Sequence, residues 1–153
     1  MKHSRLMQER IRRVQVLFKE LGYTLHEGEY LDDTFSTGFE SDDGFQAGIF
    51  IDRDSKFLEL AYTFSFSVAM ADFVRSRVEE MLHISYEYGC YVNLQAGDQD
   101  IAFSIFSKVY YAGLNYFALK ETVRDFREAV EALQEVLDIS EEGEGEEESD
   151  GDS

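Results

Sequence analysis

The sequence predicts an α+β domain in which helices flank an antiparallel sheet, in the order α-βββ-α-ββ-α. Three observations favour this class. Apolar residues recur every three or four positions in three separate segments, which is the period of a helix face. Between those segments they recur at every second position, which is the period of a strand. Short polar turns join the strands within each group, so the sheet should be antiparallel.

Three segments show the helical period. The first covers residues 4–21, with Ser4 placed as its N-cap and Gly22 placed to end it. The second covers residues 67–84, and the last covers about residues 116–138. The apolar positions are Met7, Ile11, Val14, Phe18 and Leu21 in the first segment, Met70, Phe73, Val74, Val78, Met81 and Leu82 in the second, and Leu119, Val123, Phe126, Val130, Leu133 and Leu137 in the last.

The last helix has its apolar residues at alternating spacings of four and three, which is a heptad pattern. The pattern is short for a free coiled coil. Packing against the domain's own sheet explains it equally well, and the sequence leaves both arrangements open.

Five strands are predicted from the two-residue period. They cover residues 31–39, 45–51, 58–64, 86–94 and a segment from 101 towards 111. The breaks between neighbouring strands are rich in turn-forming residues. Their sequences are SDDG, DRDSK and AGDQD.

Residues 1–139 are predicted to form a single domain, and residues 140–153 a disordered acidic tail. The net charge is −18, and the tail holds eight acidic residues and no basic ones, which leaves −10 on the domain. The tail also has no apolar side chain to bury. Because an acidic surface repels phosphate, neither nucleic acid nor an anionic membrane is expected as a partner.

Several features of the sequence favour a cytoplasmic location. No apolar run approaches the roughly 20 residues of a transmembrane helix. The first residues have no apolar block typical of a signal peptide. A single cysteine cannot form an internal disulfide.

No group of residues has a spacing typical of a catalytic or metal site, so neither an enzyme nor a cofactor is predicted. Cys90 lies on the apolar parity of its predicted strand, which favours a buried, unreactive thiol. The three histidines, His3, His26 and His83, are not paired at ligand spacing. Residues 52–56 have a lysine where a calcium loop needs an oxygen ligand. A pair of carboxylates brought together by the fold remains open.

Two sets of apolar residues are candidates for a partner or dimer surface. Phe50, Tyr91 and Phe106 have the opposite parity from the core residues of their strands. If that parity faces solvent, the sheet carries an aromatic patch of the kind that marks protein interfaces. A helix or a second subunit could instead cover this face. The second set is the stripe of the middle helix: Phe73, Val74, Val78 and Met81.

The order of elements in an acidic chain of this size resembles the type III secretion chaperones and the related YbjN-like family, bacterial proteins described as sensory-transduction regulators. The most similar stretch is residues 86–139, with the strands YEYGCYVNLQ and IAFSIFSKVY and the closing helix ETVRDFREAVEALQEVLD. The resemblance implies a non-catalytic homodimer that binds an extended segment of a partner protein in apolar grooves. It brings no catalytic residues. The glutamate-rich tail is a departure from the secretion chaperones.

The leading hypothesis is therefore a chaperone-like protein-binding module, with a dimer interface that draws on residues 67–95. The alternative is a YbjN-like regulator whose acidic tail engages a basic partner. A small enzyme without a recognisable motif is a third possibility.

Overall fold

The computed structural model describes residues 4–137, so the predicted acidic tail lies outside the described residues. The helices are α1 (Arg5–Glu20), α2 (Ala71–Glu87) and α3 (Tyr116–Leu137). The strands are β1 (Thr24–Leu25), β2 (Glu29–Leu31), β3 (Thr34–Glu40), β4 (Gln46–Asp52), β5 (Phe57–Ser67), β6 (Tyr91–Ala96) and β7 (Asp100–Tyr110).

The strands form one antiparallel sheet in the order β1-β3-β4-β5-β7-β6, and β2 lies beside β1 along the same edge of β3. The central pair is β5 and β7, which face each other along their whole length, from Phe57 opposite Tyr110 to Ser67 opposite Asp100. Helices and an antiparallel sheet confirm the predicted α+β class.

All three helices pack on one face of the sheet and enclose the core against it. Helix α1 lies on the β3–β4 side, where the ring of Phe18 is 4.8 Å from that of Phe39. Helix α3 crosses β5 and β7, and α2 lies on its far side, next to β6. The six heptad residues of α3 are all buried in this core, which favours packing on the domain's own sheet over a free coiled coil.

The start and end of α1 follow the predicted signals. The Ser4 hydroxyl accepts a hydrogen bond from the Met7 backbone N–H at 3.0 Å, which satisfies one of the free donors of the first turn. Gly22 has a φ of 92°, a conformation that side chains disfavour, and it turns the chain out of the helix. In residues 67–84 the prediction is less exact, because a short 3₁₀ turn (Val68–Met70) precedes α2.

The predicted first strand is wrong, because residues 31–39 are divided between β2 and β3. The chain turns at Asp32, which has a φ of 56°, and β2 then pairs back onto β3. An aspartate can adopt this left-handed conformation at low cost. The two residues of β1, beside the other end of β3, were not predicted at all.

The predicted strand 86–94 begins too early. Residues Tyr86 and Glu87 are the last of α2, and Tyr88 still donates its N–H to the Ile84 carbonyl at 3.1 Å. Gly89 then takes a φ of 69° and ends the helix, so that β6 starts only at Tyr91.

No helix within residues 4–137 combines the length and the apolar character that crossing a membrane requires.

Candidate functional site

The face of the sheet that the helices leave uncovered, termed the open face, carries the main candidate site. The strand register places Gly48, Ala61, Phe106 and Tyr91 side by side in one row across β4, β5, β7 and β6. The next row holds Phe50, opposite Glu59. The three predicted residues Phe50, Tyr91 and Phe106 thus share this face.

Two further aromatic residues extend this group, and together the five form the aromatic patch: Phe50, Phe57, Tyr91, Phe106 and Tyr110. The rings of Phe57 and Tyr110 meet edge to face at 5.6 Å. The ring of Phe50 lies over Gly48, 3.7 Å from where a Cβ on that glycine would be. Although Ala61 lies on the open face, it is only 9% exposed. Neighbouring side chains therefore cover most of Ala61.

A lysine lies inside the aromatic patch. The Nζ atom of Lys108 is 4.4 Å from the centre of the Phe57 ring, 4.5 Å from that of Tyr91 and 5.8 Å from that of Tyr110. Glu59 lies directly across the strand pair from Lys108. Burial raises the pKa of Glu59, and the charge of Lys108 opposes this rise. The sequence prediction of this surface did not include Phe57, Lys108 and Tyr110. The signal was present in part, because Lys108 and Tyr110 have the same strand parity as Phe106.

The second predicted set, on α2, is partly wrong. Val74 and Met81 are 3% and 1% exposed, because they face the core, and they cannot offer surface to a partner. Phe73 and Val78 are half-buried against the same core. A sheet of five strands would need only α1 and α3 to cover one face, but the sheet has seven strands. In the structure α2 covers this face too.

The outer edge of β6 is a second candidate surface. The Gly97 N–H donates to the Asp100 carbonyl at 2.8 Å, so these two residues form a hydrogen-bonded pair. In an antiparallel ladder such pairs alternate, and the odd-numbered residues of β6 therefore bond to β7. The backbone groups of Val92, Leu94 and Ala96 point away from the sheet. These three N–H and three C=O groups are termed the β6 edge.

Exposed apolar side chains are frequent in the segment that leads into β6 and in β6 itself. Of the thirteen large apolar side chains that are exposed in the described part of the chain, six lie between residues 68 and 94. They are Val68, Met70, Leu82, Tyr86, Tyr91 and Leu94. The strand β6 itself, YVNLQA, has no charged residue. Charged residues usually protect a free strand edge from pairing, and here they are missing.

The groups with the largest charge interactions have a structural role. Arg127 of α3 pairs with Glu131 at 2.9 Å and with Asp43 of the β3–β4 turn at 2.5 Å. The hydrogen bond from Arg127 holds the pKa of Asp43 well below its usual range. The carboxylate stays ionised and ties the turn to the helix, which does not suit an acid that donates protons. In residues 4–137 no three His, Cys, Asp or Glu side chains are placed to hold a metal ion.

Cys90 lies just before β6 and is half-buried, so the prediction of a fully buried strand residue is corrected. Its Sγ atom is 3.2 Å from the Ser107 hydroxyl. Burial raises the pKa of the thiol, and the hydrogen bond with Ser107 offsets only part of this rise. Because the thiolate is the reactive form, the thiol should be a poor nucleophile at neutral pH.

A maleimide should therefore label Cys90 slowly in the native protein and rapidly in denaturant. The reference is a Cys90→Ser protein with Val16→Cys, which places one thiol at an exposed position of α1. Mass spectrometry over time gives both rates. Native labelling of Cys90 at the rate of the reference thiol would show that the thiol is accessible and activated.

Comparison with solved structures assigns the fold. YbjN from E. coli, described as "a putative transcription regulator", superposes with a TM-score of 0.51 at 12% identity, over 83% of this chain and 87% of that chain. The chain has a YbjN-like fold. An uncharacterized protein from Methanothermobacter thermautotrophicus superposes on this chain with a TM-score of 0.58 at 16% identity, over 84% of this chain and 97% of its own.

No family model matches the chain, and no curated protein matches it. At identities of 12% and 16%, the similarity to these two structures shows the fold alone.

Proposed function

We propose that this chain is a non-catalytic protein-binding module, which forms a homodimer and binds an extended segment of a partner protein. The observation that carries the proposal is the open face with its aromatic patch. Three helices cover one side of the sheet, whereas the other side leaves Tyr91 and Tyr110 about half exposed. Aromatic side chains of this kind provide much of the binding energy of protein interfaces.

An extended segment is the form of partner that suits this surface. The open face extends across the strands of the sheet, and its side chains repeat every two residues along each strand. A segment in extended conformation presents side chains with the same repeat, and could place them between the exposed rings. The description of YbjN as a regulator is compatible with a role in binding, although it concerns that protein.

The β6 edge supports the proposed dimer, and its outward backbone groups are compatible with one geometry of strand pairing. If a second copy pairs antiparallel along this edge, the hydrogen-bonding residues place Leu94 opposite Leu94 of the second copy. Val92 then faces Ala96 of the second copy on the helix side, and Asn93 faces Gln95 on the open side. Every pair is apolar with apolar or amide with amide. No like charges meet, which reduces the repulsion that a net charge of −18 would otherwise cause.

Exposed side chains of α2 lie where they could enlarge this interface. Leu82 and Tyr86 are on the helix that lies next to β6, and Leu94 is on the side of β6 that faces this helix. The residues that support dimerisation thus fall within the predicted segment 67–95. Within α2 they are Leu82 and Tyr86, and not Val74 or Met81.

We expect light scattering at micromolar concentration to give the mass of a dimer. A Cys90→Ser protein with Leu94→Cys should then form a disulfide-linked dimer on mild oxidation, because hydrogen-bonded partners lie about 5.5 Å apart at their Cα atoms, within disulfide range. The matched control is Val16→Cys, which is similarly exposed on α1 and should remain uncrosslinked.

The two readouts separate the parts of the proposal. A dimer mass without crosslinking of Leu94→Cys would remove the β6 interface and keep the dimer. A monomer mass that persists at high salt, where charge repulsion is screened, would remove the dimer.

A further inference from the structure

We infer that the open face recognises lysine or arginine side chains on the extended segment that it binds. The inference rests on the proposed function, and it names the chemistry of the partner. Three observations carry it: the position of Lys108, the charge of the open face and the exposure of the rings around it.

Lys108 shows that the aromatic patch accommodates a cation. Its ammonium group lies within 4.5 Å of the centres of two rings, those of Phe57 and Tyr91. A cation over the face of an aromatic ring is attracted by the ring's quadrupole. Tyr91 and Tyr110 are about half exposed, so a cation from outside can also approach them.

The charge of the open face favours a cationic partner. Five acidic residues occupy open-face positions of the strands, and Lys108 is the one lysine or arginine among these positions. The five acids are Glu29, Glu40, Asp52, Glu59 and Asp100. His26 also lies on this face and approaches Glu40 at 3.5 Å. Acidic residues around an aromatic surface should attract a cationic segment and select against an acidic one.

The spacing of the site suggests which segment would fit. Successive open-face residues of one strand, such as Phe106, Lys108 and Tyr110, are about 6.6 Å apart, because they are two residues apart. An extended segment with a cation at every second residue repeats the same distance. Such a segment can place its cations over the exposed rings and close to Glu59.

The test uses the full chain and three fluorescent ten-residue peptides, in which threonine alternates with lysine, glutamine or glutamate. Fluorescence anisotropy at physiological salt should show binding of the lysine peptide, weaker binding of the glutamine peptide and none of the glutamate peptide. The double variant, Tyr91→Ala with Phe106→Ala, should bind the lysine peptide at least about fivefold more weakly, because two cation–ring contacts are lost. The matched control is Phe117→Ala, an exposed aromatic on α3, which should change nothing.

A second variant tests the same site in the opposite direction. Lys108→Met removes the resident cation and leaves its rings in place, so the lysine peptide should bind about threefold more tightly or better. A structural role of Lys108 alone would not produce this gain. Circular dichroism confirms folding, and Tyr91→Leu replaces the double variant if that variant unfolds.

The outcomes also separate this inference from the proposed function. If the double variant binds the lysine peptide as the wild type does, diffuse charge or the acidic C-terminal segment causes the binding, and the inference fails. If the lysine and glutamine peptides bind equally and both lose affinity in the double variant, the open face binds peptides without regard to charge. That result would overturn the inference and leave the protein-binding module intact.

Discussion

Replacing Phe126 by alanine is expected to lower the free energy of unfolding by about 3–5 kcal/mol. The Phe126 side chain is completely buried in the core that α3 forms with the sheet and the other helices. Alanine would remove most of the apolar side chain and leave a cavity that the surrounding strands cannot fill. Urea denaturation at a fixed protein concentration measures the change.

Phe117→Ala is the matched control, because Phe117 is on the same helix and is 73% exposed. Its effect should stay within about 0.5 kcal/mol. If Phe126→Ala had as small an effect as this control, α3 would not pack on its own sheet in solution. The coiled-coil alternative for the heptad pattern would then have to be reconsidered.

Tyr111→Phe is expected to make the protein more resistant to alkaline conditions. The Tyr111 hydroxyl is buried without a hydrogen-bond partner in the described part of the chain. Burial raises the pKa of Tyr111 to about 12, although the nearby charge of Arg10 lowers it. The guanidinium of Arg10 lies over the ring, 4.2 Å from its centre.

The direction of the effect follows from the two pKa values of Tyr111. The hydroxyl has a pKa of about 10 in the unfolded chain and a higher one in the folded chain. Its contribution to stability is therefore fully present below pH 10 and is lost as the pH rises towards 12. Each tenfold change in an ionisation equilibrium corresponds to about 1.4 kcal/mol, and solvent screening reduces the total. The stability lost by pH 12 is therefore roughly 2 kcal/mol.

Urea denaturation at pH 8 and near pH 11.5 measures this effect. At pH 8 the variant should lie within about 1 kcal/mol of the wild type, because the hydroxyl that it loses is unsatisfied. At the higher pH the free energy of unfolding of the variant, relative to that of the wild type, should be about 1–2 kcal/mol larger than at pH 8. Tyr110→Phe controls for the loss of an exposed tyrosine hydroxyl. An unchanged difference between the two pH values would show that the Tyr111 hydroxyl ionises as easily in the folded protein as in the unfolded one.

The long elements of the fold were predictable because each has a continuous apolar period. Helices α1 and α3 and strands β4, β5 and β7 all lie at the expected places. The short elements were not predictable for the same reason. β1 has only two residues and no period, and the even spacing from Leu31 to Phe35 continues across the turn at Asp32, which hides the break.

The end of α2 shows a different limit. Tyr86, Tyr88 and Cys90 alternate with polar residues as in a strand, but the helical hydrogen bonds continue to Tyr88. The local signal that favours the helix is Gly89, whose φ of 69° ends α2 just after Tyr88.

The candidate site was predictable only in part. Parity alone places Phe50, Tyr91 and Phe106 on the same side of the sheet, and the structure leaves that side uncovered. Parity could not show that Lys108 lies among the rings, because this depends on the pairing of β5, β6 and β7 across long sequence distances. The apolar stripe of α2, in turn, could not show that this helix packs on the domain's own core instead of on a partner.

The two outer edges of the sheet differ in how well they can pair with a second copy of the chain. At the far edge, β1 and β2 cover separate halves of β3 and are only two and three residues long, so they offer no straight ladder for another strand. The β6 edge, in contrast, presents a run of six residues. Pairing there through a twofold axis uses this run on both copies at once. Polymerisation would then stop after a single step, and concentrated protein should yield discrete pairs without filaments.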